Sequence, residues 1–78
     1  MEREEIIKRL EPIFRDVFDD ENIVLSEDTK PEDIEDWDSI GHVYLLVEIE
    51  DEFGITIGER MAQIENVREM IDIMLTLM

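Results

Sequence analysis

The sequence predicts an all-α fold: a small bundle of three long helices and one short one, with a long loop between helices one and two. Three observations carry this. Apolar residues recur at three- and four-residue spacing in three separate stretches. Each stretch is bounded by residues that start or stop helices. The one strand-like segment, Ile55-Thr56-Ile57, has no second segment to pair with, so it reads as an extended connection.

Residues 3–18 place Ile6, Ile7, Leu10, Phe14, Val17 and Phe18 on one helical face. Pro12 lies inside this stretch; it lacks an N–H and its ring crowds the turn around Lys8, so a kink or a division is expected there. Asp19-Asp20-Glu21-Asn22 ends the periodicity. Residues 19–38 form the long connection, a length that in a small domain usually serves function. Its short apolar patch Ile23-Val24-Leu25 precedes the turn-rich Ser26-Glu27-Asp28-Thr29-Lys30-Pro31, and Ile34 and Trp37 are the expected anchors into the core.

From Ser39 to Phe53 the pattern is helical again, with Ile40, Leu45, Leu46, Ile49 and Phe53 as the expected inward face. Val43, Tyr44 and Val47 widen the apolar surface beyond one stripe, so part of it should face solvent. Gly54 is placed to stop this helix. Residues 59–64 are expected to form the short helix. Asn66 then caps a last helix carrying Val67, Met70, Ile71, Met74, Leu75 and Met78 on one side. The five methionines are read as adaptable core filler.

Seventy-eight residues make a single domain, 1–78, close to the size at which a hydrophobic core is only just sufficient. There is no cysteine, so disulfides and thiolate metal sites are excluded, and a deep enzyme cleft is hard to build at this length. Seven basic residues stand against 23 acidic ones, a net charge of −16. The imbalance is concentrated in residues 19–38, where ten acids accompany the single base Lys30. Such a field repels nucleic acid and anionic lipid and steers basic protein surfaces toward residues 19–53. The start Met1-Glu2-Arg3-Glu4-Glu5 is unlike a secretory signal, and no apolar run has membrane-spanning length. A cytoplasmic monomer is the expectation.

Asp38-Ser39 opens the second helix. Both residue types are preferred N-caps, because a side-chain oxygen can accept the orphan N–H groups of the first turn. Either one suffices, which leaves the other free. A helix N-terminus also favours an anion, so a phosphate esterified to Ser39 would lie in a favourable field. Nothing in the sequence makes Ser39 a self-activated nucleophile: the sole histidine is His42, and no third member accompanies it. Ser39 therefore reads as a residue modified by another enzyme, and the chain itself as no enzyme. Asp36, Asp38 and Gly41 match positions one, three and six of a calcium-binding EF-hand loop, but Ile40 and Val47 occupy positions five and twelve, where oxygen ligands are required. No metal site is expected, and His42 has no companions for one. Trp37 and Tyr44 are read first as packing residues.

The stretch Trp37-Asp38-Ser39-Ile40-Gly41-His42-Val43, continuing through Leu45-Leu46-Val47-Glu48-Ile49-Glu50-Asp51-Glu52-Phe53-Gly54-Ile55, resembles the acyl carrier proteins. The attachment motif of that family is Asp-Ser-Leu, and its second helix typically ends in an acidic run, Phe, and then Ile. Here Ile40 replaces the Leu. The likeness extends over the first helix, the long acidic loop and the last helix, so it covers essentially the whole chain. It implies that a phosphopantetheinyl transferase attaches 4′-phosphopantetheine from coenzyme A to Ser39, with Asp38 as the motif's helix cap. The arm's thiol would then carry acyl or aminoacyl groups as thioesters to partner enzymes of fatty-acid, polyketide or specialised biosynthesis. The interior between the helices is the implied shelter for cargo, and His42 is expected at the surface near the attached phosphate.

The resemblance also implies docking of basic partner surfaces on the second helix. Ile40, Val43 and Val47 are the expected apolar contacts there, and Glu48, Glu50 and Asp51 supply the steering. One departure is plain: family members often carry acids at the positions of Gly41 and Tyr44, which argues against a housekeeping role. Trp37 resembles the residue preceding the motif in stand-alone carriers of specialised pathways, and Leu45-Leu46-Val47-Glu48-Ile49-Glu50 resembles D-alanyl carrier proteins. A competing expectation of a different class is an unmodified acidic interaction module, in which Ser39 is only a cap.

Overall fold

The three apolar periodicities become three α-helices in a computed structural model that describes residues Met1–Met78. They are α1 (Arg3–Val17), α2 (Ser39–Phe53) and α3 (Val67–Leu77), with a single 3₁₀ turn at Pro31–Asp33 and no strand. Ile6, Leu10 and Phe14 of α1, Leu45 and Ile49 of α2, and Val67, Met70, Ile71 and Met74 of α3 are fully buried in one core. No helix is long and apolar enough to cross a membrane.

Pro12 does not divide α1, which runs unbroken for 15 residues. A proline in a helix interior costs about 3 kcal/mol. The buried Leu10 and Phe14 flank it, and each side chain of that kind contributes roughly 1.5–3 kcal/mol when removed from water. Packing on both sides of the proline therefore outweighs the local penalty.

The connection from Phe18 to Asp38 is tied down at both ends. Arg15 Nε donates to Ile23 O at 2.9 Å, and Leu25 N donates to Glu11 Oε2 at 2.9 Å, so the first part lies along α1. Ile23 and Leu25 are buried while Val24 is exposed, the alternation of an extended segment. Further on, Thr29 O accepts Val67 N and Glu27 O accepts Arg68 N, both at 2.9 Å. The loop backbone thus satisfies two of the four orphan donors of α3, and Asn66 Oδ1 caps a third by accepting Glu69 N at 3.0 Å. Ile34 and Trp37 are buried, as their anchoring role requires.

Several expectations do not hold. Residues 59–64 form successive turns instead of a short helix: Arg60 N bonds to Ile57 O and Ala62 N to Glu59 O, a three-residue spacing with no four-residue ladder. Gly58, at φ +61°, starts the segment in a left-handed conformation, and Met61 is drawn fully into the core. Ile40, expected inward, is exposed, because it shares the outer side of α2 with Val43, Tyr44 and Val47, across the helix from the buried Leu45 and Ile49. Tyr44 is likewise exposed instead of packed, and Leu75 and Met78 reach solvent at the end of α3. Met61, Met70 and Met74 are core filler, whereas Met1 and Met78 are not.

Candidate functional site

Ser39 is the first residue of α2 and lies at the surface. Asp38 is the N-cap: its extended backbone precedes the helix, and its Oδ1 accepts Gly41 N at 2.8 Å. No hydrogen bond within the chain engages Ser39 Oγ, and the amides of Ser39 and Ile40 have no backbone acceptor. A hydroxyl and two unpaired amides therefore share the positive end of the helix dipole with the Asp38 carboxylate. A phosphate ester on Ser39 fits this arrangement.

The segment that delivers Ser39 is held by an aromatic cluster. Trp37 stands edge-on to Phe14 (centroids 5.1 Å apart, 83°) and lies 5.9 Å from Phe18. Gly41 closes the same junction. A Cβ there would stand 2.5 Å from Asp36 O and 2.9 Å from Phe18 Cε1, so the acidic loop can fold over the first turn of α2 only because this position carries no side chain. No larger residue fits at position 41 without displacing Asp36 or Phe18.

His42 is not the free surface residue expected. Trp37 Nε1 donates to its Nδ1 at 3.0 Å, and its Nε2 lies 2.7 Å from Met61 O. Both ring nitrogens are engaged within the chain, so neither is available to a group on Ser39.

A cleft of about 330 Å³ borders Ser39, walled by Pro31, Trp37, His42, Gln63 and Ile64. On the other flank a groove of about 500 Å³ runs from Ser39 along α2 past Val43, Leu46 and Val47 toward Glu50, with Gly58, Glu59 and Ala62 opposite. Its middle is apolar and its far end acidic. The turns at residues 58–64 form a wall of both, a contribution the sequence pattern of a short helix did not reveal.

Of the residues expected to meet partners, Ile40, Val43 and Val47 are 69, 60 and 55% exposed, and Tyr44 joins them at 64%. Their spacing of three and four residues makes one continuous apolar stripe along the outer side of α2. Glu48 and Asp51 are exposed beside it. Glu50 differs: it is half-buried, and its Oε2 accepts Ile57 N at 2.7 Å. Its carboxylate fastens the extended connection to α2, so the carboxylates without a partner in the chain on the stripe's flank are Glu48 and Asp51.

The chain was compared with protein-family models, curated proteins and solved structures. It matches none of them. The functional reading therefore rests on the geometry around Ser39 and on the residues themselves.

Proposed function

We propose that the protein is an acyl-carrier-type protein that holds acyl or aminoacyl cargo as a thioester on a 4′-phosphopantetheine arm attached to Ser39. The observation that carries this reading is the division of work at the start of α2. Asp38 caps the helix, while the exposed Ser39 hydroxyl next to it has no hydrogen-bond partner in the chain, and the Ser39 and Ile40 amides are free. A serine needed only as a cap would hold the bond that Asp38 holds.

When attached, the arm supplies a thiol, the nucleophile this cysteine-free chain lacks. The chain's own residues present the hydroxyl, offer the Ser39 and Ile40 amides to the phosphate, and provide a docking face. That face combines the Ile40, Val43, Tyr44 and Val47 stripe with Glu48 and Asp51, which suits a partner with an apolar contact surface and a basic rim. The chain performs no catalysis; the transferase and the loading enzymes do. The apolar groove beside Ser39 supports an acyl chain as cargo, and its acidic end favours an aminoacyl alternative.

Incubation with coenzyme A and a broad-specificity phosphopantetheinyl transferase, read by intact-protein mass, tests this. The wild type should gain the mass of one phosphopantetheine and Ser39→Ala should gain none. An unshifted wild type, or a shift that persists in Ser39→Ala, overturns the reading and leaves the unmodified acidic interaction module as the better account of the charge.

A further inference from the structure

The indole N–H of Trp37 can only donate, and it points at His42 Nδ1 from 3.0 Å. Nδ1 is therefore the bare nitrogen of the ring, and the proton resides on Nε2, where it is donated to Met61 O at 2.7 Å. One neutral tautomer satisfies a donor on one side and a carbonyl on the other. The two rings lie edge to edge and within 23° of coplanar, with centroids 6.1 Å apart, as that in-plane bond requires. A histidine one turn into α2 is thus fixed at both nitrogens.

What it fixes is the segment Gly58–Ile64. The backbone bonds inside that segment are local turns, from Arg60 N to Ile57 O and from Ala62 N to Glu59 O. Its start is pinned to α2 by the bond from Ile57 N to Glu50 Oε2. Beyond that point the hydrogen bond tying it to α2 is the one from His42 to Met61 O. The cleft and the groove flanking Ser39 share Ser39, His42 and Ala62 in their walls. One otherwise meets Pro31 and Gln63 and the other Val43 and Glu59, so the His42–Met61 bridge stands between them.

We infer that His42 is the positioning residue of the Ser39 site, a latch that holds the 58–64 segment against α2 and so sets the wall that an arm on Ser39, or an enzyme reaching it, must meet. Its consequence for modification rests on the reading of Ser39 given above; its structural action does not. With the latch open, the middle of the segment is held to α2 by no hydrogen bond and keeps the apolar contacts of Met61 and Ile64, and the two hollows beside Ser39 merge into one trough of undefined width.

The test uses the unmodified full chain and two variants. His42→Phe keeps an aromatic ring of similar shape and removes both hydrogen bonds. His42→Gln keeps an N–H where Nε2 stands and restores the bond to Met61 O. Amide-exchange protection within residues 58–64 should fall about tenfold in His42→Phe, the population change that one net hydrogen bond commands, and should return toward wild type in His42→Gln. Protection of Leu10 and Phe14 in α1 should stay unchanged in both. In the transferase assay His42→Phe should raise KM for the carrier severalfold with kcat nearly constant, since the latch shapes a surface and donates nothing to the reaction. Unchanged protection at 58–64, or an equal loss in α1, overturns the latch while leaving Ser39 modification intact. Failure of the wild type to be modified removes the Ser39 reading and leaves the exchange result to judge the latch alone.

Discussion

Asp38 Oδ1 accepts the Gly41 amide at 2.8 Å, and this bond takes the capping role away from the adjacent Ser39. Loss of an N-cap side chain costs about 1 kcal/mol, whereas an exposed side chain without partners contributes within roughly 0.5 kcal/mol. Asp38→Ala should therefore lower unfolding stability by about 1 kcal/mol, and Ser39→Ala should leave it nearly unchanged. Urea unfolding of the two variants decides between them. A larger loss for Ser39→Ala means that the serine caps, and it removes the main support for an attachment role.

Gly41 and Asp36 make a second junction whose tolerance can be measured. Alanine at position 41 gains about 1 kcal/mol of helix propensity. Its Cβ, however, would stand 2.5 Å from Asp36 O, a backbone atom already accepting Asp38 N at 2.9 Å. Overpacking of this kind costs about 1–3 kcal/mol, so Gly41→Ala should be destabilising on balance. It should also loosen the Trp37 contact with Phe14, seen as a change in tryptophan fluorescence. A stabilised Gly41→Ala with native fluorescence would show that the loop can lift away freely.

Glu27 links the long connection to α1, with its Oε1 2.6 Å from Arg3 Nη2, while Arg3 Nη1 reaches Asp72 Oδ1 at 2.8 Å. The hydrogen bond from Arg3 holds the Glu27 carboxyl below its ordinary value of 4.5 and pushes the Arg3 guanidinium further above its own range. A carboxyl with a lowered folded pKa contributes stability that is complete above its unfolded value and is lost as pH falls through the folded one. Arg3 stays charged throughout, so the titration belongs to Glu27. Both side chains are about a third exposed, which keeps the effect modest and salt-sensitive. Replacing Glu27 by Gln should lower stability near neutral pH, and the difference from the wild type should shrink as pH falls below 4.5 through the lowered folded value. Urea midpoints across pH check this. Parallel curves at every pH would exclude the ion pair as the cause.

The helices were legible because each apolar stripe meets the one shared core: Ile6, Leu10 and Phe14 in α1, and Met70, Ile71 and Met74 in α3, occupy the positions their spacing predicts. The caps at Asp38, Gly54 and Asn66 were legible for the same reason, since their chemistry is local. The contacts that set the walls around Ser39 are not local. His42 and Met61 are 19 residues apart and Glu50 and Ile57 seven, and neither pair carries a pattern that spacing alone reveals. Ile40 was misplaced although its side was periodic: it stands half a turn round the helix from Ile49 and three, four and seven residues before Val43, Tyr44 and Val47, so it belongs to the outer stripe. The turns at 58–64 were misread because the buried Met61 imitates a helical stripe that a single core contact already explains.

Val43 and Val47 offer the sharpest separation of docking from stability. Both lie on the exposed stripe of α2 with Ile40 and Tyr44, clear of the core residues Leu45 and Ile49. Polar substitution on an exposed face changes stability by no more than roughly 0.5 kcal/mol, so Val43→Gln and Val47→Gln should unfold like the wild type. If the stripe is the docking face, the same changes should raise the KM for a transferase or loading enzyme about tenfold each, in line with truncation of a buried contact at an interface. Glu48→Gln and Asp51→Gln should act differently. Charges at the rim of an interface govern encounter more than the bound state, so their loss should slow association at low salt and be nearly silent at high salt. Glu50→Gln separates the two kinds of carboxylate: its amide oxygen can still accept Ile57 N, so association should be little altered while the neutral acceptor weakens the connection. Partner kinetics that ignore the valines, or a Glu50→Gln effect on association equal to that of Asp51→Gln, would place the docking face elsewhere on the molecule.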